Sequence, residues 1–281
     1  MHPSNDHDRE PGLMRRARAG QFELQVLSRG RGMPVLLVHG FPLDHSMWDA
    51  QIAHLSQRWQ IIAPDLRGFG GSQVTSGTVT MEQMADDLAA LADTLGIDEP
   101  IVLCGLSMGG YVALEFWRKY AARLRGLVLC DTRAAADTPE AAAGRLETVE
   151  RVLREGNEPL ADAMLPKLFA PATLKNHPNL YALERQKILA AHPEGVAAAL
   201  GGMATRRDFR DELANISLPA LVIVGEHDSI STVDEMRSIA KAIAAAEFVI
   251  IPGSGHMTPL ENPDGFNEAI ELFLTRVERG S

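Results

Sequence analysis

Cysteine is almost missing from this chain. Only Cys104 and Cys130 occur among 281 residues, too few for the disulfide framework on which a small secreted scaffold relies. Each lies near the end of an apolar run, where a free cysteine acts as a small hydrophobe rather than as a nucleophile. Nor is there a run of about 18 or more apolar residues, so no helical membrane span is expected. Positive charge is the minority: 27 Lys and Arg face 37 Asp and Glu, a formal net charge of -10 at pH 7. That balance speaks against nucleic acid or an anionic membrane as partner; its plain meaning is solubility. The nine histidines hold no standard metal-ligand spacing, His2 with His7 and His39 with His45 being too loosely set, so no metal and no cofactor is expected. Segment 1–20 is polar and charged and lacks the apolar stretch of a signal peptide. It is expected to be a disordered tail of a cytoplasmic protein.

What is present is an alternation of short apolar runs with helical patterns. The runs cover 35–38, 60–63, 101–104, 127–130, 221–224 and 248–251. Their β-branched and leucine content suits strands buried on both sides of a parallel sheet. Segment 22–27 alternates apolar with polar residues instead, as a half-exposed antiparallel edge strand would. Thr80 with Gln83 has the spacing of a capping box, and Asn262 followed by Pro263 opens a second amphipathic helix. Between 133 and 207 the alternation stops. This stretch is alanine-rich, helical and punctuated by prolines, far longer than an ordinary connection. The expected organisation is a core domain over 21–132 and 208–281 with a helical cap over 133–207.

Four segments carry chemistry. The first reads Gly105-Leu106-Ser107-Met108-Gly109 between an apolar strand and a helix, the setting in which G-x-S-x-G forms a nucleophile elbow. A serine on so tight a turn needs neighbours without side chains, which Gly105 and Gly109 supply, and the turn leaves the Met108 N–H at a helix N-terminus to bind an oxyanion. The second, His39-Gly40-Phe41-Pro42, follows a central strand and offers the Phe41 N–H as the other oxyanion donor. His39 is expected to brace this loop, and His45 to be a loop-packing residue. The third ends in Asp228, just past a buried strand, where open α/β sheets place their sites. The fourth sets His256 in a glycine-flanked loop after the last strand. Ser107, Asp228 and His256 follow one another in the chain order of serine, acid and histidine that suits this fold.

Together these segments resemble the α/β-hydrolase superfamily from about residue 22 to 277. Segments 105–110 and 65–72 are similar to its capped branch of carboxylesterases, 3-oxoadipate enol-lactonase-like enzymes and perhydrolase relatives. Dehalogenases and epoxide hydrolases also resemble it but carry an aspartate nucleophile, which Ser107 excludes. The resemblance implies an α/β fold with a mostly parallel central sheet, helices on both faces and a helical cap inserted after the sixth strand. It implies Ser107 as nucleophile, His256 as base and Asp228 as orienting acid. Some relatives place the acid one strand earlier, which here would be Asp131; the G-x-x-D pattern of 225–228 favours Asp228. The implied reaction is acyl-enzyme hydrolysis of small to medium esters. Enol-lactone hydrolysis would need a cation for the substrate carboxylate, for which Arg133, Arg206 and Arg207 are the candidates, and perhydrolysis would need peroxide to outcompete water. A ligand receptor on the same scaffold is the non-enzymatic alternative, although such a descendant would be free to lose the serine or histidine. Met164, Leu165, Leu168, Phe169, Met203 and Met257 are expected to line an apolar substrate pocket.

Overall fold

Strands form where the apolar runs lie, and a computed structural model describes residues 12–280. In chain order the strands are β1 (Leu13–Ala19), β2 (Phe22–Arg29), β3 (Pro34–Val38), β4 (Gln60–Pro64), β5 (Ile101–Leu106), β6 (Leu124–Cys130), β7 (Ala220–Gly225) and β8 (Ala246–Ile251). They build one eight-stranded sheet in the order β1-β2-β4-β3-β5-β6-β7-β8. The pairs β1/β2 and β2/β4 are antiparallel and all others parallel.

Two of the expectations need correction here. The edge strand is β1, not 22–27: Leu13 to Ala19 pairs along β2 within the stretch expected to be a disordered tail. Ala17 and Ala19 face the core while Arg15, Arg16 and Arg18 point outward. Small alanines between arginines carry too little hydrophobic contrast for the period of two to be read. The rest of the expected tail, 1–11, lies outside the described residues. β8 is the opposite edge and is only half buried rather than enclosed on both faces.

Alternate residues of each central strand feed two cores. α1 (Asp49–Leu55) and α11 (Pro263–Arg279) cover one face, where Ile52, Leu55, Phe266, Ile270 and Phe273 meet Val102, Cys104, Leu221 and Ile223. α2 (Met81–Thr94), α3 (Met108–Tyr120) and α9 (Val233–Ala242) cover the other, against Leu103, Leu129, Val222 and Val224. The Thr80–Gln83 capping box and the Asn262 cap both form as the sequence suggests. Cys104 and Cys130 sit on neighbouring strands with sulfurs 3.7 Å apart, both buried, and burial pushes the Cys130 thiol well above its usual range. They are packing residues.

Between β6 and β7 the chain builds α4 (Pro139–Glu155), α5 (Glu158–Leu168), α6 (Pro171–Asn176), α7 (Pro178–Ala190) and α8 (Pro193–Ala204). A main-chain hydrogen bond from Phe209 N to Ala134 O closes the neck of this insertion, and the buried pair Arg206–Asp137 at 2.6 Å staples it. α8 crosses the core so closely that a Cβ on Gly195 would lie 2.0 Å from Gly68 O. No helix among the described residues is long and apolar enough to cross a membrane. A short α10 (Thr258–Glu261) precedes α11.

The turn at 65–72 is held by a buried bidentate pair: Arg67 Nε and Nη2 donate to Asp87 of α2 at 2.8 and 2.5 Å. Replacing Asp87 by alanine would leave a buried guanidinium without its counter-ion, a change that costs about 3–5 kcal/mol. Denaturant titration of Asp87→Ala should therefore show a loss of that size, and a loss below about 1 kcal/mol would mean that water replaces the carboxylate.

Candidate active site

Three of the expected residues come together at the carboxyl edge of the sheet. Ser107 follows β5 directly, Asp228 lies in the loop after β7, and His256 in the loop after β8. His256 Nε2 is 2.9 Å from Ser107 Oγ, and His256 Nδ1 is 2.8 Å from Asp228 Oδ2. A carboxylate can only accept, so Nδ1 carries the ring proton and Nε2 is left to accept from the serine hydroxyl. The other Asp228 oxygen accepts from the main-chain N–H groups of Ile230 (2.7 Å) and Ser231 (3.0 Å). Both His256 and Asp228 are almost fully buried, while Ser107 is half-exposed.

The elbow around Ser107 is strained, with φ 54 and ψ -113. The flanking glycines are required by close approach. A Cβ on Gly105 would stand 2.2 Å from Gly109 O, and one on Gly109 2.3 Å from Val38 O. Strand β5, helix α3 and strand β3 therefore cross at backbone distance. Gly40 brings the following loop past the serine, since its Cβ would lie 3.5 Å from Ser107 Cβ. Phe41 is the next residue of that loop, and Met108 is the first residue of α3. Both are buried.

His39 is the brace that the sequence suggests. Its Nε2 accepts from Leu66 N at 2.9 Å, its Nδ1 lies 3.0 Å from Gly40 O, and burial holds its pKa below the usual histidine range. His45 does more than pack. Although burial works against its charge, Nδ1 pairs with Asp65 Oδ1 at 2.5 Å, and this contact raises its pKa while holding Asp65 low. Among the described residues, Asp44, His45 and Asp65 form the group whose ligand-type atoms come within 4.8 Å of one another. Asp65 already accepts from His45 N, Gly71 N and Gln25 Nε2 as well, and Asp44 from Ser46 N, so the cluster is built as a loop brace.

Asp131 is not turned toward the histidine. Its Oδ1 accepts from Gly225 N at 2.8 Å and its Oδ2 shares a 2.5 Å hydrogen bond with Thr258 Oγ1. The side chains offered for the pocket are mostly interior: Leu165, Leu168, Phe169 and Met257 join the core beneath α1 and α11, and Met203 the opposite one. Met164 is partly buried and packs on both. Each of the three arginines has an acidic partner, although the buried Arg133 Nε has no hydrogen-bond partner among the described residues. Arg206 is buried between Asp137 and the face of Tyr111, 4.4 Å from the ring, and so is no solvated surface residue. Arg133 donates to Ile230 O, and Arg207 pairs with Glu212.

One participant escapes the sequence. Glu261, in the short α10, reaches both the histidine loop and the insertion, and a carboxylate before an Asn-Pro helix start gives no warning of it.

Burial first, and the nearby Asp228 charge second, push Asp131 well above the usual aspartate range. The folded chain therefore keeps this proton to higher pH than the unfolded chain does, and its contribution to stability falls as pH rises above about 3.9. Asparagine would keep both hydrogen bonds without ionising. Asp131→Asn should be at least as stable as the parent at pH 7, with an advantage that grows from about pH 4 to 7 in denaturant titrations; a variant markedly weaker at pH 7 would show that Asp131 is ionised in the fold.

Residues 33–263 match the family described as alpha/beta hydrolase fold. The chain is similar to a thermophilic esterase from Thermogutta terrifontis, with 49% identity and a TM-score of 0.92 over 96% of this chain and 100% of that one. An enol-lactonase from Burkholderia xenovorans has 32% identity and a TM-score of 0.87 over 93% of this chain and all of its own. The 3-oxoadipate enol-lactonase 1 of Acinetobacter baylyi is 29% identical over 257 residues, 92% of this chain and 94% of that protein. With a family match across most of its length and a sheet of the matching topology, the chain belongs to the α/β-hydrolase family.

Proposed function

We propose that this hydrolase is a serine carboxylesterase acting on esters of small to medium size. The observation that carries the reading is the unbroken hydrogen-bond relay from Ser107 Oγ through His256 to Asp228, at 2.9 and 2.8 Å. In the proposed reaction Ser107 Oγ attacks the ester carbonyl and His256 Nε2 takes its proton. Asp228 keeps the imidazole in the Nδ1–H tautomer and stabilises the imidazolium. The N–H groups of Phe41 and Met108 hold the oxyanion. His256 returns the proton to the departing alcohol, then draws one from water, which attacks the acyl-enzyme and frees the acid. All groups needed belong to the chain itself.

An ester substrate is favoured over an enol-lactone carrying a carboxylate by the state of the arginines. Arg206 is paired with Asp137, Arg207 with Glu212 and Arg133 with Glu235 at 3.4 Å, so each candidate cation already faces a carboxylate of the chain. The similarity to the Thermogutta esterase, closer in identity than the enol-lactonases compared above, supports the same choice. The helices of 133–207 are then the cap of this site, and Met164 is the one of the six apolar candidates left partly exposed.

Ser107→Ala should lower turnover of a p-nitrophenyl ester by about three to six orders of magnitude with the fold intact. Asp228→Asn should cost on the order of 10⁴-fold by forcing the wrong histidine tautomer, whereas Asp131→Asn stays within a few-fold of the parent. A folded Ser107→Ala protein with near-parental esterase activity would sink the reading. Substrate size is tested by kcat/KM across p-nitrophenyl esters of increasing acyl length. Efficiency should peak at short to medium acyl groups; a rise continuing to long chains, with activation on emulsions, would make the cap a lipase lid.

A further inference from the structure

The main chain on either side of His256 is held by a single carboxylate outside the relay. Glu261 Oε1 accepts from Gly255 N at 2.8 Å and from Met257 N at 3.3 Å. Its Oε2 accepts from Ala170 N at 2.8 Å and from Thr173 Oγ1 at 2.6 Å, both in the helical insertion. The insertion also reaches the histidine directly, since Leu168 O accepts from His256 N (3.0 Å) and Met257 N (3.1 Å). Here the two segments run at backbone distance: a Cβ on Gly255 would lie 2.5 Å from Ala170 N. Glu261 itself is fixed at both ends of its short helix. Thr258 Oγ1 is bound to the buried Asp131, and Asn262 caps α11 through Gly265 N.

We propose that Glu261 is a positioning residue, clamping the His256 loop to segment 168–173 of the cap, so that the imidazole is aimed at Ser107 only when this part of the cap is seated. The inference rests on the Ser107–His256–Asp228 reading above. Its physical basis is a count of donors. Four N–H or O–H groups converge on the four acceptor sites of one carboxylate, two from each side of the joint. Neither side can shift without stripping a charge-assisted hydrogen bond from the other. Substrate admission is thereby assigned to the remainder of the cap, because segment 168–173 cannot lift without releasing the histidine.

The test is steady-state hydrolysis of p-nitrophenyl butyrate by the full chain and its variants, with fold and melting temperature checked by circular dichroism. In Glu261→Gln the amide nitrogen must face a main-chain N–H, donor against donor. Misplacement of a reacting group by about 1 Å costs on the order of hundredfold, so kcat and kcat/KM should fall together by about tenfold to hundredfold. Thr173→Val removes one arm on the cap side and should lower kcat by about threefold to tenfold, while Thr173→Ser, which keeps the hydroxyl, returns to within about twofold of the parent. Folded Glu261→Gln with kcat within threefold of the parent overturns the inference, as does a lowered melting temperature with unchanged kcat, the mark of a merely structural bracket. Should Glu261→Gln not fold, the Thr173 pair decides: equal activity of Thr173→Val and Thr173→Ser overturns the proposal. A Ser107→Ala control separates the two levels, because activity surviving in it defeats the reading of the site itself, whatever Glu261 does.

Discussion

Ser107 occupies backbone space that an isolated chain would leave at once. A non-glycine residue at φ 54 and ψ -113 costs about 1–3 kcal/mol and persists only where its surroundings over-determine it. Those surroundings are the parallel pairs β3/β5 and β5/β6 on each side, α3 leaving from the next residue, and two glycines that let carbonyls approach where a methyl would collide. Thr132 Oγ1 adds a 2.7 Å hydrogen bond to Ser107 O, and Ser107 N donates to Cys130 O. The buried sheet is thus the means of holding one hydroxyl where a free chain would not keep it.

The same edge of the sheet holds two buried aspartates with opposite surroundings. Asp228 meets two main-chain N–H groups and an imidazole, the partners a carboxylate wants. Asp131 meets one N–H and a hydroxyl, and is pushed toward its neutral form by burial and by Asp228. Two negative charges in such proximity would compete for the same cations, and among the described residues no arginine or lysine bonds to either side chain. Burial and the Asp228 charge both favour the protonated form of Asp131.

Much of this could be read from residues alone, where the physics is local. The buried strands announce themselves by unbroken apolar runs, the elbow by glycines two positions either side of Ser107, and two helix starts by their caps. Asp228 was separable from Asp131 only through a resemblance; in the fold it is a matter of which carboxylate faces Nδ1. What stayed hidden depends on long-range placement. β1 was hidden because alanine serves as its core residue among arginines. The pairing of His45 with Asp65, the burial of Arg206 against Asp137 and the reach of Glu261 to Thr173 join residues from 20 to 88 positions apart, or across the insertion's neck. Such pairs leave no periodic trace in the chain.

Among the described residues the sheet has β1 and β8 as its outer strands, and the two carry charge differently. β1 presents Arg15, Arg16 and Arg18 along a strand whose Leu13 and Met14 are exposed, and β8 carries Glu247, tied to Arg276 of α11. An unpaired strand is a template for another molecule's strand, and charged side chains along it make such growth unfavourable. The three arginines that conceal β1 from pattern reading thus set like charges along a strand where a second copy would have to pair, which works against such pairing.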